Sequence, residues 1–386
     1  MEQLFTSGRI GQRSTTNRLA AQPMEGNCGG AGGAVSELCL EKYRQQAKGK
    51  WGIIIAEAIS VTPNSLARKD ALVMSRQNLD GFKRLVDAVK QINPDTVLLF
   101  QITHSGPVSN PTFSEKVCVT PGGEGRYLPT DEIARIKDAF VECSLLSEAA
   151  GADGIDFKIC HGYLCAELLR PANNRNDKWG GSFENRTRFL REGIAEIAAR
   201  RKSKDFILGS RFSMYEGIRG GCGTTSSEEI IENLTEMKQL IELMGTMGMD
   251  YINVSAGIPA KTPIITRPVP IAELMYLHHL RYTRFAKETL QAIGSDTKVI
   301  GSAYSVLQER ALPVAEEMLE KNYADFIGWG RQTLADPLMP VKLMSNEKVD
   351  YCIACSGCSK MMIKQIEVGC MMFNPYYKEY WKQSTN

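Results

Sequence analysis

The chain has 386 residues, of which 43% are hydrophobic, enough for a large core. Its 46 Lys and Arg residues nearly balance its 44 Asp and Glu residues, and a net charge of +2 argues against nucleic-acid binding driven by bulk charge. No apolar run approaches the roughly 20 residues of a membrane helix, and the N-terminus lacks the basic-then-apolar order of a signal peptide. We therefore expect a cytoplasmic protein that binds neither nucleic acid nor membrane.

Eight strand-like apolar runs follow one another, and helical stretches such as 78–92, 188–200 and 305–321 separate them. The runs span residues 17–24, 52–59, 96–103, 154–160, 206–213, 251–257, 298–304 and 324–330. Strands alternating with helices indicate parallel βαβ units. Eight such units predict an α/β fold, a (β/α)8 TIM barrel with its active site at the C-terminal ends of the strands. No composition break divides residues 1–386, so we expect a single barrel domain.

Polar residues lie at the ends of several predicted strands. Gln101 lies near the end of the third strand and Arg211 near the end of the fifth. In the fourth strand Asp156, Lys158 and Cys160 alternate with apolar residues, which points them into the barrel. A lysine inside a barrel needs a partner or a function. It either pairs with Asp156 or, as its place near the top of the strand favours, belongs to an active site.

The loop after the fourth strand reads H-G-Y-L-C-A-E-L-L-R-P-A-N-N-R-N-D-K-W-G-G-S-F-E-N-R-T-R-F-L over residues 161–190. It resembles the Old Yellow Enzyme family of flavin-dependent oxidoreductases, in which H/N-G-Y-L is followed by N-x-R-x-D-x-Y/W-G-G-S-x-E-N-R. N-R-L-A-A-Q-P-M, Q-I-T-H-S-G and G-W-G-R-Q-T-L-A-D-P resemble the first, third and last strands of that family. The resemblance spans essentially the whole chain and implies an FMN enzyme.

The resemblance implies where the flavin ring would lie. The backbone of Pro23, Met24 and Ala58 would line it, and Gln101 would bond its pyrimidine edge. Arg211 would lie near N1 and O2, where a positive charge stabilises the reduced, anionic flavin. The phosphate would bind the loops after strands seven and eight, as in many such barrels. There the resemblance points to Ser302, Ala303, Gly330 and Arg331, with Ala303 standing where glycine is common.

The resemblance also implies the catalytic residues. Tyr163 matches the proton donor of the family, and with a reference pKa of about 10 it is protonated at neutral pH. His161 and Lys158 match the two residues that polarise a substrate carbonyl, although many relatives have histidine where Lys158 stands. A lysine there favours an anionic substrate group. Glu25 occupies a slot where threonine or cysteine is usual, so we expect FMN to be bound non-covalently.

Four cysteines form a C-x2-C-x2-C-x11-C pattern within residues 351–371, at Cys352, Cys355, Cys358 and Cys370. The three-plus-one spacing favours a [4Fe–4S] cluster. Structural zinc, which usually takes two separate ligand pairs, and free thiols are the alternatives. In the resembled family such a cluster belongs to the branch of 2,4-dienoyl-CoA reductase and trimethylamine dehydrogenase.

Members of that branch continue into two nucleotide-binding domains, whereas this chain stops sixteen residues after Cys370. We therefore expect no C-terminal nucleotide-binding domains. FMN would be reduced either by NAD(P)H directly or, through the cluster, by a partner such as an electron-transfer flavoprotein or a ferredoxin. The sequence leaves the oligomeric state open, including a homo-oligomer.

Three functions fit these residues. The first is an ene-reductase that acts on an enoate, an enoyl thioester or an enone. The second is an amine dehydrogenase or demethylase that passes electrons out through the cluster, but Lys158 in the pocket would repel a cationic substrate. The third is a barrel aldolase with Lys158 as a Schiff-base nucleophile and a zinc knuckle, which leaves G-G-S-F-E-N-R unexplained. We favour the first.

Overall fold

The computed structural model describes residues 1–267 and 273–385. Eight parallel strands close into a barrel, and each strand pairs with its neighbours in the sequence until the last pairs with the first. The strands are β1 (Leu19–Ala21), β2 (Ile53–Ser60), β3 (Val97–Thr103), β4 (Gly154–Phe157), β5 (Ile207–Ser213), β6 (Tyr251–Ser255), β7 (Lys298–Gly301) and β8 (Phe326–Trp329). All eight predicted strands and the TIM barrel are confirmed.

Helices surround the barrel and fill the loops at its top. They are α1 (Glu37–Lys48), α2 (Leu79–Lys90), α3 (Thr130–Ala149), α4 (Leu164–Leu169), α5 (Phe183–Arg200), α6 (Thr235–Thr246), α7 (Pro263–Thr266), α8 (Glu273–Ala292), α9 (Ala311–Glu320), α10 (Gln332–Ala335), α11 (Met339–Met344), α12 (Gly357–Ile363) and α13 (Pro375–Thr385). Within the described residues, no helix is both long and apolar enough to cross a membrane.

The barrel interior is apolar at its base and polar above. On β3, Val97 and Leu99 belong to the apolar layer that an N-terminal hairpin, Gly8–Ile10 with Arg13–Thr15, closes from below through Ile10. Two residues further on, Gln101 faces the same interior and donates a hydrogen bond to Asp156 Oδ1 at 3.0 Å. Side chains at i and i+2 share one face of a strand, so this change from apolar to polar marks the functional end.

Two predicted elements differ in detail from the structure. The predicted helix 305–321 is divided, because a 3-10 segment covers Tyr304–Arg310 before α9 begins. Gln308 has φ 54°, a left-handed conformation that interrupts the helical geometry. Strand β2 carries an irregularity between Ala56 and Ile59, where its register against β3 shifts. Such bulges re-aim side chains, and this one lies where Ala58 was expected to line the flavin.

Candidate active site

Eleven of the twelve barrel residues predicted to bind flavin or act in catalysis line one cavity at the C-terminal ends of the strands, which we call the main cavity. They are Pro23, Met24, Gln101, Lys158, His161, Tyr163, Arg211, Ser302, Ala303, Gly330 and Arg331. They come from the ends of six strands or the loops that follow, which is how a barrel assembles a site from residues far apart in sequence.

Ala58 is the exception. It lies outside the main cavity and lines a small separate one, the rear cavity, together with Glu25, Arg68 and Tyr163. The bulge in β2 accounts for this placement, because it falls between Ala56 and Ile59. That the backbone of Ala58 lines the flavin ring stays a prediction, and in this structure Ala58 borders the rear cavity instead of the main one.

A tight turn presents His161 and Tyr163 to the main cavity. His161 has φ 62° and Gly162 has φ 77°, two successive left-handed residues that reverse the chain shortly after the end of β4 at Phe157. The backbone N–H of His161 donates to Ser213 Oγ at 3.0 Å, which ties the turn to the end of β5. Tyr163 then occupies the position before the first residue of α4. The sequence H-G-Y-L thus encodes a fixed loop-to-helix corner.

Glu25 lies at the centre of a buried charged network around Tyr163. The Tyr163 hydroxyl donates to Glu25 Oε1 at 2.6 Å, and Arg68 Nε donates to Glu25 Oε2 at 2.7 Å. Lys158 Nζ lies 3.7 Å from Glu25 Oε1 and 3.4 Å from the centroid of the Tyr163 ring. Lys158 therefore pairs with Glu25 and not with Asp156, whose oxygens bond to Gln101 and other residues inside the barrel.

The network sets the protonation states of its members. Burial alone would raise the pKa of Glu25, but Arg68, Lys158 and the Tyr163 hydroxyl outweigh it and lower the pKa to about 2. Burial, followed by the charge of Glu25, raises the pKa of Tyr163 well above its usual value. At neutral pH the site thus holds an ionised carboxylate beside a protonated phenol.

His161 is held as a neutral ring. Its Nε2 shares a hydrogen bond with Ser255 Oγ at 2.7 Å. Burial, together with the positive charges of Arg211 and Lys158, lowers the pKa of His161 well below its usual value. Burial also lowers the pKa of Lys158, and Glu25 limits that shift. A neutral imidazole and a lysine therefore line the same cavity as Tyr163, both able to hydrogen-bond a substrate oxygen.

Arg211 and Gln101 line the main cavity, and each has an N–H group that is not used in a hydrogen bond to the part of the chain that the structure describes. Arg211 Nε is buried and has no hydrogen-bond partner among the described residues. Gln101 uses one N–H on Asp156, which leaves a second amide hydrogen on the same nitrogen. A buried donor without a partner is costly unless a ligand satisfies it. These two residues fit a ligand with acceptor atoms, such as the pyrimidine edge and N1–C2=O2 region of a flavin.

The predicted phosphate residues follow β7 and β8 as expected. Ser302 and Ala303 come directly after β7, and Gly330 and Arg331 directly after β8. Ala303 adopts the left-handed conformation with φ 78°, which a glycine would tolerate at lower cost. A Cβ on Gly330 would lie 3.2 Å from Met24 Sδ, so a side chain there would crowd the cavity wall. The four residues line the same cavity and fit a phosphate carried by a bound flavin.

Arg68 is a candidate site residue that the sequence patterns did not indicate. It follows β2 in a loop with no recognisable motif, yet it lines the main and rear cavities and a third one, the vestibule. The vestibule opens above Tyr163 with a volume of about 1130 Å³. Its charged lining is mostly basic: Arg68, Lys116, Arg170, Arg219, Lys261, Arg267 and Lys360, against Glu124 and Glu167. These residues are far apart in the sequence, and only the folded chain brings them to one cavity.

A fourth cavity lies beside Arg331, and its lining includes all four predicted cluster ligands, Cys352, Cys355, Cys358 and Cys370. Ala354 has φ 53° and Ser356 has φ 60°, so the chain turns tightly between the first three cysteines. Among the described residues, no three of these four thiols lie within 4.8 Å of one another. Cys358 also lines the main cavity, which places this segment next to the predicted flavin site.

Comparison with known proteins identifies the family. The sequence pattern of the NADH:flavin oxidoreductase / NADH oxidase family matches residues 3–350. The NADH oxidase of Thermoanaerobacter brockii is 30% identical over 373 residues, which are 92% of this chain and 53% of that protein. The cinnamate reductase of Clostridium sporogenes is 26% identical over 396 residues, covering 96% of this chain and 57% of that protein.

The solved structure of 2-naphthoyl-CoA reductase with 2-naphthoyl-CoA superposes with a TM-score of 0.81 at 22% identity, over 98% of this chain and 58% of that one. At this identity the likeness concerns the fold. The chain spans about half the length of these relatives. The Old Yellow Enzyme resemblance is confirmed, and the chain belongs to the NADH:flavin oxidoreductase / NADH oxidase family of oxidoreductases.

Proposed function

We propose that this protein is an FMN- and [4Fe–4S]-dependent ene-reductase that reduces the activated C=C bond of an enoate, an enoyl thioester or an enone. The observation that carries the proposal is the convergence of Tyr163, His161 and Lys158 on the cavity that Arg211 also lines. Bound FMN would supply a hydride to the β-carbon. The side chains of the cavity would bind the substrate, stabilise its charge and supply the proton.

The three catalytic residues would divide the work. His161 and Lys158 would hydrogen-bond the substrate oxygen and stabilise the negative charge that develops there. Tyr163, protonated at neutral pH, would give its proton to the α-carbon. The phenolate left behind would belong to the same network as Arg68 and Lys158, so two cations would offset two anions, the phenolate and Glu25. Because the two cations offset the two negative charges, Tyr163 can act as the proton donor although the Glu25 carboxylate is adjacent.

The charge of the site favours a neutral or anionic substrate. The main cavity is lined by Arg68, Lys158, Arg211, Arg267 and Arg331, with Glu25 as the only carboxylate among its described lining residues. The vestibule has room for a bulky acyl group or a thioester arm, and its excess of basic residues suits an acidic one. A cationic amine would be repelled, which argues against the amine dehydrogenase alternative. Membership of an oxidoreductase family likewise argues against an aldolase.

The cysteine cavity supports a cluster over zinc. Structural zinc usually takes two separate ligand pairs, whereas three of these cysteines lie in one turn and the fourth follows later. That spacing suits a cluster, and all four thiols line one cavity. With Cys358 also facing the main cavity, the cluster would exchange electrons with FMN. NAD(P)H, or a partner flavoprotein or ferredoxin acting through the cluster, would be the reductant.

The decisive experiment is an absorption spectrum of anaerobically purified protein with flavin, iron and acid-labile sulfide counts. We expect one FMN and about four irons per chain. Cys352→Ser should lower the iron count and leave the flavin bound, since this thiol does not line the main cavity. A colourless protein that contains zinc would contradict the proposal.

The substrate class needs a second experiment. Photoreduced enzyme is mixed anaerobically with an enoate, an enoyl thioester or an enone, and the return of oxidised flavin is followed. Oxidised enzyme is mixed separately with a methylated amine, and reduction of the flavin is followed. We expect the alkenes to reoxidise the flavin. Reduction of oxidised enzyme by the amine, with no reaction of any alkene, would instead establish the amine dehydrogenase.

A further inference from the structure

Tyr163 borders the rear cavity in addition to the main cavity and the vestibule. The rear cavity has a volume of about 10 Å³, close to the minimum that holds one water molecule. Its polar lining includes Glu25, Ser60, Ser65, Arg68, Thr103 and Tyr163. A space of this size with several polar partners is large enough to hold one ordered water.

Thr103 supplies independent evidence for a bound molecule. Its side chain is buried, and Oγ1 has no hydrogen-bond partner among the described residues. A buried hydroxyl without a hydrogen-bond partner destabilises the fold. A water in the rear cavity would supply the missing partner and could at the same time bond to Glu25.

A chain of hydroxyl groups leads away from the rear cavity. Ser60 Oγ and Ser65 Oγ are 2.8 Å apart, and Thr62 Oγ1 donates to Ser65 Oγ at 2.9 Å. Ser60 and Ser65 are buried, whereas Thr62 is partly exposed. Three hydroxyls in hydrogen-bond contact therefore connect the space behind Tyr163 with the surface.

Tyr163 needs a proton supply in the proposed reaction. Each turnover removes its proton and leaves a phenolate whose oxygen faces Glu25 Oε1 at 2.6 Å. Two like charges at that distance repel each other, so rapid return of a proton matters. The vestibule offers one route and the rear cavity another, because Tyr163 lines both.

We propose that the rear cavity holds one ordered water, bound by Thr103 and Glu25, that returns a proton to Tyr163 from the Thr62–Ser65–Ser60 hydroxyl chain. This inference rests on the proposed ene-reduction. Tyr163 gives one proton to the substrate carbon, the water gives one to the phenolate oxygen, and the hydroxyl chain replaces it with one from solvent. No electron moves in this step.

The first test is independent of activity. A high-resolution crystal structure of the holoprotein should contain a water within hydrogen-bond distance of Thr103 Oγ1 and Glu25. Thr103→Val, which keeps the shape of the side chain and removes its hydroxyl, should lose that water. A rear cavity without density in the wild-type protein would overturn the proposal.

The second test compares repeated turnover with flavin reduction. In Thr103→Val and Ser65→Ala, the steady-state turnover of an alkene with dithionite as reductant should fall at least about tenfold, because every turnover after the first needs a returned proton. Reduction of the flavin by dithionite should not change. The matched control is Thr289→Val, which removes a buried hydroxyl bonded within α8 and should leave both rate constants unchanged.

The outcomes distinguish this inference from the proposed function. If both variants turn over an alkene at the wild-type steady-state rate, Tyr163 is reprotonated from the vestibule and the inference fails while ene-reduction stands. If the wild-type enzyme reduces no alkene, ene-reduction fails, and an absent water would then overturn the water site as well. Ser65→Ala keeps the kinetic test open should Thr103→Val fail to fold.

Discussion

Glu25 determines the hydrogen bonds and the charge balance of the side chains around Tyr163. In the sequence it is a departure from the threonine or cysteine usual after Pro-Met. In the structure it accepts hydrogen bonds from Tyr163 and Arg68 and offsets the charge of Lys158. The lysine inside the barrel therefore has a partner, and that partner lies 133 positions earlier in the chain.

Tyr163→Phe should slow the oxidation of reduced enzyme by an alkene between about 100-fold and 10,000-fold, because the general acid is lost. Flavin reduction should stay at the wild-type rate, since the phenol takes no part in it. Stopped-flow measurement of both half-reactions checks this. Equal loss in the two would mean that Tyr163 shapes the flavin site rather than donating a proton.

Glu25→Gln should reveal a pH-dependent contribution to stability. The pKa of Glu25 falls from 4.5 to about 2 on folding, which corresponds to about 3 kcal/mol at neutral pH. Because the folded pKa is the lower one, this stability is present above about pH 4.5 and is lost as the pH falls towards 2.

Urea unfolding at several pH values measures the effect. The wild-type protein should exceed Glu25→Gln in stability at pH 7, and the difference should shrink as the pH falls below about 4.5. Glu288→Gln, which removes an exposed carboxylate beside Arg284, is the control and should change stability by less than about 1 kcal/mol. A pH-independent difference for Glu25→Gln would contradict the charge network.

At the scale of elements, the motif that identifies the family proves to be a structural clamp. In G-G-S-F-E-N-R, Ser182 Oγ accepts from Asn185 N and begins α5. Arg186 donates to the carbonyl of Leu169, the last residue of α4, and pairs with Glu236. Since Tyr163 caps the other end of α4, the clamp holds the helix that positions the proposed proton donor.

Arg186→Ala should destabilise the fold by about 3 kcal/mol, because it breaks a largely buried pair and frees the Leu169 carbonyl. Arg188→Ala is the matched control on the same helix, where more exposed partners predict less than about 1 kcal/mol. Denaturant unfolding of both variants compares the two. Similar losses of unfolding free energy in the two variants would mean that the Arg186 contacts stabilise the fold no more than an exposed ion pair does.

At the scale of the whole molecule, the barrel fold brings basic side chains together at the C-terminal ends of its strands. Ligand binding should therefore stabilise the fold as well as enable chemistry. Removing FMN should lower Tm by several degrees, and adding it back at about 100 times Kd should restore about 2.7 kcal/mol. Scanning calorimetry with FMN, and with riboflavin as the control that lacks the phosphate, measures this. Equal stabilisation by both would argue against phosphate binding by the loops after β7 and β8.

The sequence by itself determined the barrel and most of its site. Period-two alternation, strand–helix order and the H-G-Y-L and G-G-S-F-E-N-R stretches are local patterns, and strand ends in a parallel barrel must meet at one face. The resemblance to the Old Yellow Enzyme family named the site residues, and the barrel geometry explains why eleven of them, from separate strands, line one cavity. The cysteine segment was likewise recognisable from its spacing alone.

Only the tertiary structure decided what depends on contacts between distant segments. The bulge in β2 moved Ala58 to the rear cavity, and the loop after β2 brought Arg68 to Glu25. Which carboxylate would pair with Lys158 was also open, because strand neighbours and loop neighbours compete for one ammonium group. Pairing, burial and cavity shape arise from packing across the barrel, and a linear pattern carries no information about them.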